Sequence, residues 1–149
     1  MVVFREISYG GGDYKKECQL RDELLRQPLG LSLYEEDLQV EEEQWHFGLF
    51  EKEALLACGV VVLLGGKLVK IRQVAVVENL QGRGYGRMLM EAIEGELRQR
   101  GYLGVELHAR REVVQFYLAG DYVVEGDEFE EVGLPHLKMV KELTSFRAG

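Results

Sequence analysis

Cysteine, basic charge and long apolar runs are all in short supply in this chain. Cys18 and Cys58 are the two cysteines among 149 residues. They stand at neither a metal-binding nor a redox spacing, which speaks against a disulfide scaffold or a zinc ribbon and fits a reducing compartment. Lys and Arg number 18 against 26 Asp and Glu, a formal charge of −8. With no basic block anywhere, a nucleic-acid partner is not expected. An amine or other cationic substrate is permitted by that charge but not demonstrated by it. The longest apolar run, Val60–Leu64 with its neighbours, is far too short to span a bilayer, and no signal pattern precedes it. The expectation is a soluble cytoplasmic protein with no membrane partner. Repeats and low-complexity segments are also missing. The length suits one domain, 1–149, with a real core.

The periodic segments give an ordered set of elements. Val2–Ile7 predicts a strand, Tyr9–Asp13 a glycine-rich loop, and Tyr14–Gln27 a helix with apolar positions at Cys18, Leu20, Leu24 and Leu25, ended by Pro28. Leu29–Gln44 is acidic and irregular. It reads either as a solvated loop or short helix, or as a cation-attracting rim. Trp45–Phe50 predicts a strand whose His46 is more naturally structural than functional. Ala54–Leu64 and Lys67–Val77 are strands joined by Gly65-Gly66, a hairpin signal. Tyr102–His108 alternates, with Val105 and Leu107 on one face and Glu106 and His108 on the other. Arg110–Leu118 has helical spacing. Tyr122–Glu125 and Leu137–Val140 are the last strands, separated by an acidic loop, Gly126–His136, and Ser145–Gly149 is expected to fray.

The most informative stretch is Arg72–Arg100. An apolar β-branched strand runs into Gln81-Gly82-Arg83-Gly84-Tyr85-Gly86, and a helix follows with Tyr85, Leu89, Ala92, Ile93 and Leu97 on one stripe and Gly101 as its terminator. Free N–H groups at a helix start, beside glycines that let a phosphate approach, make an anion site. The same glycines could also serve only to turn the chain. Walker A is excluded, because no Lys-Ser or Lys-Thr follows. The dinucleotide pattern GxGxxG fails as well, because its last position falls on Arg87 or Leu89.

What these residues do match is Q/R-x-x-G-x-G/A, as Gln81-x-x-Gly84-x-Gly86. The chain therefore resembles the GNAT N-acetyltransferase superfamily, in which this loop holds the pyrophosphate of acetyl-coenzyme A. The resemblance implies an α/β fold with a mixed, mostly antiparallel sheet of six to seven strands and helices on both faces, splayed between Lys67–Val77 and Tyr102–His108. It assigns Gln81, Gly82, Arg83, Gly84, Tyr85, Gly86 and Arg87 to the pyrophosphate. Val74, Ala75 and Val76 would line the pantetheine arm and polarise the thioester carbonyl through a backbone N–H. A second signature lies in Arg110–Tyr122, where Phe116-Tyr117 stands for the family's Phe-Tyr pair. By that resemblance Tyr117 is the acid that protonates the departing thiolate; the alternative is a packing tyrosine. The family's usual Asn is Arg110 here, which keeps a cofactor role, and its Gly-Phe turn is Asp121-Tyr122, where Asp tolerates a left-handed backbone.

The tail, Val124–Met139, resembles the ending of an ElaA-like or YjcF-like subgroup through Glu128, Phe129, Gly133, Leu134, Pro135, His136 and Met139. Together the two resemblances span Arg72 to about Leu143; the earlier half agrees in element order. They imply direct attack of a small amine or peptide amine on acetyl-coenzyme A in a ternary complex, with no metal and with homodimers frequent in the family. An alkyl amine is mostly ammonium at neutral pH and needs a proton acceptor. The candidates, in order, are His136, Glu128, His108 and Glu106, or a water chain, with His136 as a loop anchor bonded to Glu128 the competing role. A non-catalytic acyl-coenzyme A sensor on the same scaffold and a general nucleotide-binding module are the other readings.

Overall fold

A computed structural model describes residues 1–144; the tail Ser145–Gly149 lies outside the described residues. The strands are β1 (Val2–Ile7), β2 (Trp45–Glu51), β3 (Ala54–Gly65), β4 (Leu68–Val76), β5 (Gly104–Arg110), β6 (Val123–Val124), β7 (Phe129–Glu131) and β8 (Leu134–Glu142). The helices are α1 (Gly12–Leu25), α2 (Tyr85–Gln99) and α3 (Val114–Ala119). Short 3-10 helices occupy several connections, three of them between Gln27 and Glu43. The strand order is β1-β2-β3-β4-β5-β8-β6, with β7 added on β8. The β4–β5 pair is parallel. The β1–β2, β2–β3, β5–β8, β6–β8 and β7–β8 pairs are antiparallel. This is the mixed, mostly antiparallel sheet expected. Among the described residues it has eight strands rather than six to seven, because β7 forms inside the segment read as an acidic loop and β8 begins at Leu134 rather than Leu137. Val132 and Gly133, both at positive φ, turn β7 back onto β8, a reversal that Val132 disguises in the sequence.

The chain divides into two compact units. The first comprises Met1–Val62 with Gln73–Ile93. Here Ile7, Tyr14, Cys18, Leu33 and Phe50 form one buried cluster, and Leu20, Cys58 and Ala75 another. Leu89 and Ile93 of the predicted α2 stripe are fully buried, and Met90 is buried with them. α1 starts two residues before its predicted start, and Pro28 sits in the 3-10 turn after it. Its buried face carries Glu17, Arg21 and Asp22 as well as Tyr14, Cys18 and Leu20, which apolar spacing could not indicate.

The second unit comprises Leu63–Arg72 and the described residues from Glu94 on. Its parallel β4–β5 ladder runs from Leu68↔Gly104 to Lys70↔Glu106, whereas β5 and β8 pair along seven positions. Val105, Leu107 and Ala109 are buried in the predicted alternation. Gly101, at φ 91, ends α2 as expected.

Gly48 of β2 shows how tightly the first unit is packed. A Cβ there would stand 2.8 Å from Leu55 Cδ1, 2.9 Å from Phe50 Cε1 and 3.0 Å from Ile7 Cδ1. Gly48→Ala is expected to cost about 1–3 kcal/mol by overpacking, read as a lower urea midpoint with an unchanged slope.

Candidate active site

In the first unit, β4 leads through a single 3-10 turn, Glu78–Leu80, into the glycine loop and α2. Gly82 and Gly84 both hold positive φ, 81° and 89°, and neither is crowded by neighbours. Their requirement is therefore conformational: a side chain would fit the space but strain the backbone. The loop residues Gln81–Gly84 are exposed, and Met88 N–H closes the first helical turn on Gly84 O at 3.0 Å. The N–H groups before it belong to the first turn, at the positive end of a fifteen-residue helix. Gln81 Nε2 donates to Val76 O at 3.1 Å, tying the loop back to the end of β4. Gln81 is thus a brace for the loop as well as a member of the motif. Arg83 is exposed beside it, and Tyr85, Gly86 and Arg87 are half-buried in the first turn. Of Val74, Ala75 and Val76, only Ala75 is fully buried.

The same unit holds a charged cluster that the sequence reading missed. Arg21 is fully buried. Its Nη1 donates to Glu17 Oε2 at 2.6 Å and to Glu41 Oε1 at 2.9 Å, Nη2 to Glu41 Oε2, and Nε to Gln73 Oε1 at 2.6 Å. Burial works against the guanidinium charge, but the hydrogen bond and charge of Glu41 outweigh it and hold Arg21 protonated. Glu41 is 2% exposed. The acidic connection is therefore no open rim at that position, because its carboxylate is the partner of a buried cation. Tyr14 Oη donates to Glu41 Oε1 at 2.7 Å, and burial followed by that bond pushes the phenol far upward.

His46 joins the cluster as a structural residue. Its Nδ1 faces Glu17 Oε2 at 2.8 Å and its Nε2 faces the Glu41 carbonyl at 2.9 Å. Both neighbours are acceptors, and only an imidazolium can donate to both. Burial opposes that charge, but the bond to Glu17 and its carboxylate prevail, so the pKa is raised. Glu17, Glu41 and His46 lie close enough to hold a metal ion. Both carboxylates already face Arg21, however, and a second cation would meet its charge directly. That donor set fits protons better than a metal.

In the second unit, Tyr117 on α3 is buried, 8% exposed, edge-on to Phe116 and Tyr122. Asp121 after it adopts φ 74, the left-handed turn anticipated for this Asp. Tyr122, 1% exposed, donates its hydroxyl to Glu94 Oε2 at 2.8 Å, and Lys141 Nζ donates to Glu94 Oε1 at 2.7 Å. A tyrosine in place of the family's phenylalanine is thus accommodated by a buried carboxylate. Arg110 ends β5 opposite His136 of β8.

The proposed contact between Glu128 and His136 does not form. Glu128 is exposed and accepts from Arg111 Nη2 at 2.6 Å. His136 Nδ1 donates instead to Leu134 O at 2.9 Å, with its Nε2 3.8 Å from Glu131 Oε2. Glu131, absent from the sequence-based candidates, accepts from His108 Nδ1 at 2.8 Å. Burial raises the Glu131 pKa, but the hydrogen bond and charge of His108 outweigh it and the net direction is downward. Phe129 lies between the two imidazoles, edge-on to His108 and stacked on His136. The signal for Glu131 was its position two residues from Phe129 on one strand, which becomes legible only once β7 is known to exist. Glu106 lies 3.7 Å from Lys138 Nζ.

Comparison with known proteins decides the family. The sequence profile described as the acetyltransferase (GNAT) domain matches residues 23–143. The chain belongs to the GNAT acetyltransferase family. It is 27% identical over 129 residues to the uncharacterized N-acetyltransferase YjcF of Bacillus subtilis, covering 86% of this chain and 91% of that protein. A match to YyaT of the same organism, 25% identical, spans only 53% of that relative's length. Among solved structures, Escherichia coli ElaA superposes with a TM-score of 0.81 at 20% identity over 95% of this chain and all of that one. An aminoglycoside 6′-N-acetyltransferase complexed with coenzyme A gives 0.80 at 12% identity, over 98% and 99%. These structures share the fold. YjcF and ElaA are the relatives after which the subgroup of the tail motif is called. Membership in this family indicates acyltransferase activity. No helix among the described residues is long and apolar enough to cross a membrane.

The buried cluster sets a pH dependence for stability. The folded pKa of His46 lies above its unfolded value of about 6.5, so its contribution is complete below pH 6.5 and is lost as pH rises through the folded value. Urea unfolding across this window should show wild-type stability falling while His46→Gln stays flatter. Arg21→Met, which strands two buried carboxylates, is expected to cost about 3–5 kcal/mol in the same assay.

Proposed function

We propose that the chain transfers the acetyl group of acetyl-coenzyme A to a primary amine by direct attack in a ternary complex. The observation that carries this is the loop of left-handed glycines at the start of α2, inside a GNAT domain match that also supports reading 1–149 as one functional domain. In this reading Gln81–Arg87 bind the pyrophosphate, and Val74–Val76 line the pantetheine. A backbone N–H of that strand polarises the thioester carbonyl, stabilising charge that develops there. Arg110 contributes a positive charge to the cofactor. Tyr117, a neutral phenol at physiological pH, protonates the leaving thiolate.

For the proton acceptor the geometry favours His108 over His136 and Glu128. Nδ1 of His108 donates to Glu131, which leaves the lone pair of the neutral ring on Nε2, on the far side from that carboxylate. The corresponding nitrogen of His136 stands near Glu131 itself. Glu128 is engaged by Arg111 at the surface.

Acetyl-coenzyme A at about a hundred times its Kd should stabilise the protein by roughly 2.7 kcal/mol in thermal unfolding, with ATP and NAD as controls. No shift at millimolar ligand would remove the reading. With an amine panel and thiol release as the signal, Tyr117→Phe should lower kcat by about 10²-fold or more while acetyl-coenzyme A binding persists. Coenzyme A binding with no turnover of any amine would favour a sensor. His108→Gln should abolish the acid limb of the pH–rate profile and His136→Gln should retain it; the reverse result returns the base role to His136.

A further inference from the structure

Four non-glycine residues among those described have φ in the left-handed region: Lys52, Gln73, Asp121 and Val132. Three of them lie in turns between elements. Gln73, at φ 52, lies inside a strand, β4, immediately before Val74. Such a residue is strained and persists only where its surroundings over-determine it. In a strand it also turns the following peptide away from its regular direction. The parallel ladder of β4 with β5 has already ended at Lys70.

What surrounds Gln73 is the buried guanidinium. Arg21 Nε donates to Gln73 Oε1 at 2.6 Å, while Nη1 and Nη2 are held by Glu17 and Glu41. Arg21 is held in place, because both carboxylates lie within the core and His46 Nδ1 shares the Glu17 Oε2 to which Arg21 donates. The fork therefore presents Nε at one place, and that place is the amide of the left-handed residue. Ala75, two residues on, packs with Leu20 of α1 and Cys58. The kink is thus fixed to α1 on its polar side by Gln73 and on its apolar side by Ala75.

We propose that Arg21, with Glu17 and Glu41, is a positioning group that clamps Gln73 and so holds β4 in the kinked form that receives the acetyl-pantetheine arm. The inference rests on the acetyl-coenzyme A reading given above. The clamp acts on the strand and not on the glycine loop, which has its own brace from Gln81 to Val76. The two halves of the cofactor should therefore respond differently when the clamp is removed.

The experiment compares calorimetric affinities for acetyl-coenzyme A and for adenosine 3′-phosphate 5′-diphosphate, which contains the pyrophosphate but no pantetheine. In Gln73→Ala, acetyl-coenzyme A affinity is expected to fall roughly ten-fold, the scale of the strain no longer held, with nucleotide affinity unchanged within about two-fold. Gln73→Glu, which keeps an oxygen acceptor for Arg21 Nε, is expected to recover most of the loss. Gln73→Gly, which accepts φ 52 without strain, should show the same selective loss and serves if Gln73→Ala does not fold. Equal losses for both ligands, or no loss for either, would overturn the clamp. Wild-type protein that binds neither ligand would overturn the acetyl-coenzyme A reading itself, and the clamp with it. Wild type that binds the nucleotide and acetyl-coenzyme A equally would overturn the clamp alone, since the arm would then contribute nothing to be positioned.

Discussion

A guanidinium with no exposure has to be answered by acceptors on every side, and much of the first unit is arranged to do so. Arg21 draws one carboxylate from its own helix, another from the connection before β2, and an amide from β4. Desolvating such a group alone would cost several kcal/mol, and the compensation depends on geometry as well as charge. This explains why the connection Leu29–Gln44 is acidic yet ordered into short turns. Asp22 makes a parallel connection, taking the Leu33 N–H at 2.8 Å and the Gln27 amide at 2.8 Å. Asp22 and Arg21 of α1 thus anchor an irregular segment that also buries Leu33 in the cluster with Ile7, Tyr14, Cys18 and Phe50.

The elements that rest on periodicity alone were legible. β1 and the alternation of β5 follow directly from apolar spacing, the β3–β4 hairpin from its two glycines, and the start of α2 from the glycine loop. β7 was not, because a three-residue strand leaves no period to detect and its reversal uses Val132, a residue rarely found left-handed. The charged cluster was not legible either. Glu17 and Arg21 stand four apart, which on a surface helix is an ordinary exposed pair. Nothing local marks this one as buried, since its burial follows from β2, the 3-10 turn Leu38–Glu43 and β4 converging on α1.

The site was legible to different depths for a related reason. A glycine loop at a helix start is a local object: its φ values and outward N–H groups are consequences of residues adjacent in sequence. The Asp121 turn is local too, and was anticipated from its residue type. Proton-transfer partners are assembled from strands distant in the chain. Glu131 meets His108 only because β7 folds back on β8 and β8 pairs with β5. Motif membership, which ranks His136 and Glu128 ahead of His108, therefore gives no sign of the His108–Glu131 pair that topology creates.

One fold thus uses carboxylates in three environments with three chemical outcomes. Glu17 and Glu41, in the core, hold the Arg21 guanidinium between them, and His46, bonded to Glu17, has its pKa raised. Glu94, also buried, is matched to Lys141 and the Tyr122 hydroxyl, which lets a tyrosine stand where a phenylalanine is usual in this family. Glu131 is only partly buried and orients one imidazole while approaching a second. The fully buried carboxylates are surrounded by partners that cannot exchange without disrupting the core, which suits positioning. Glu131 is reached by solvent and faces two imidazoles, an arrangement that leaves its partners accessible. The difference in burial, rather than the difference in residue type, separates the two roles.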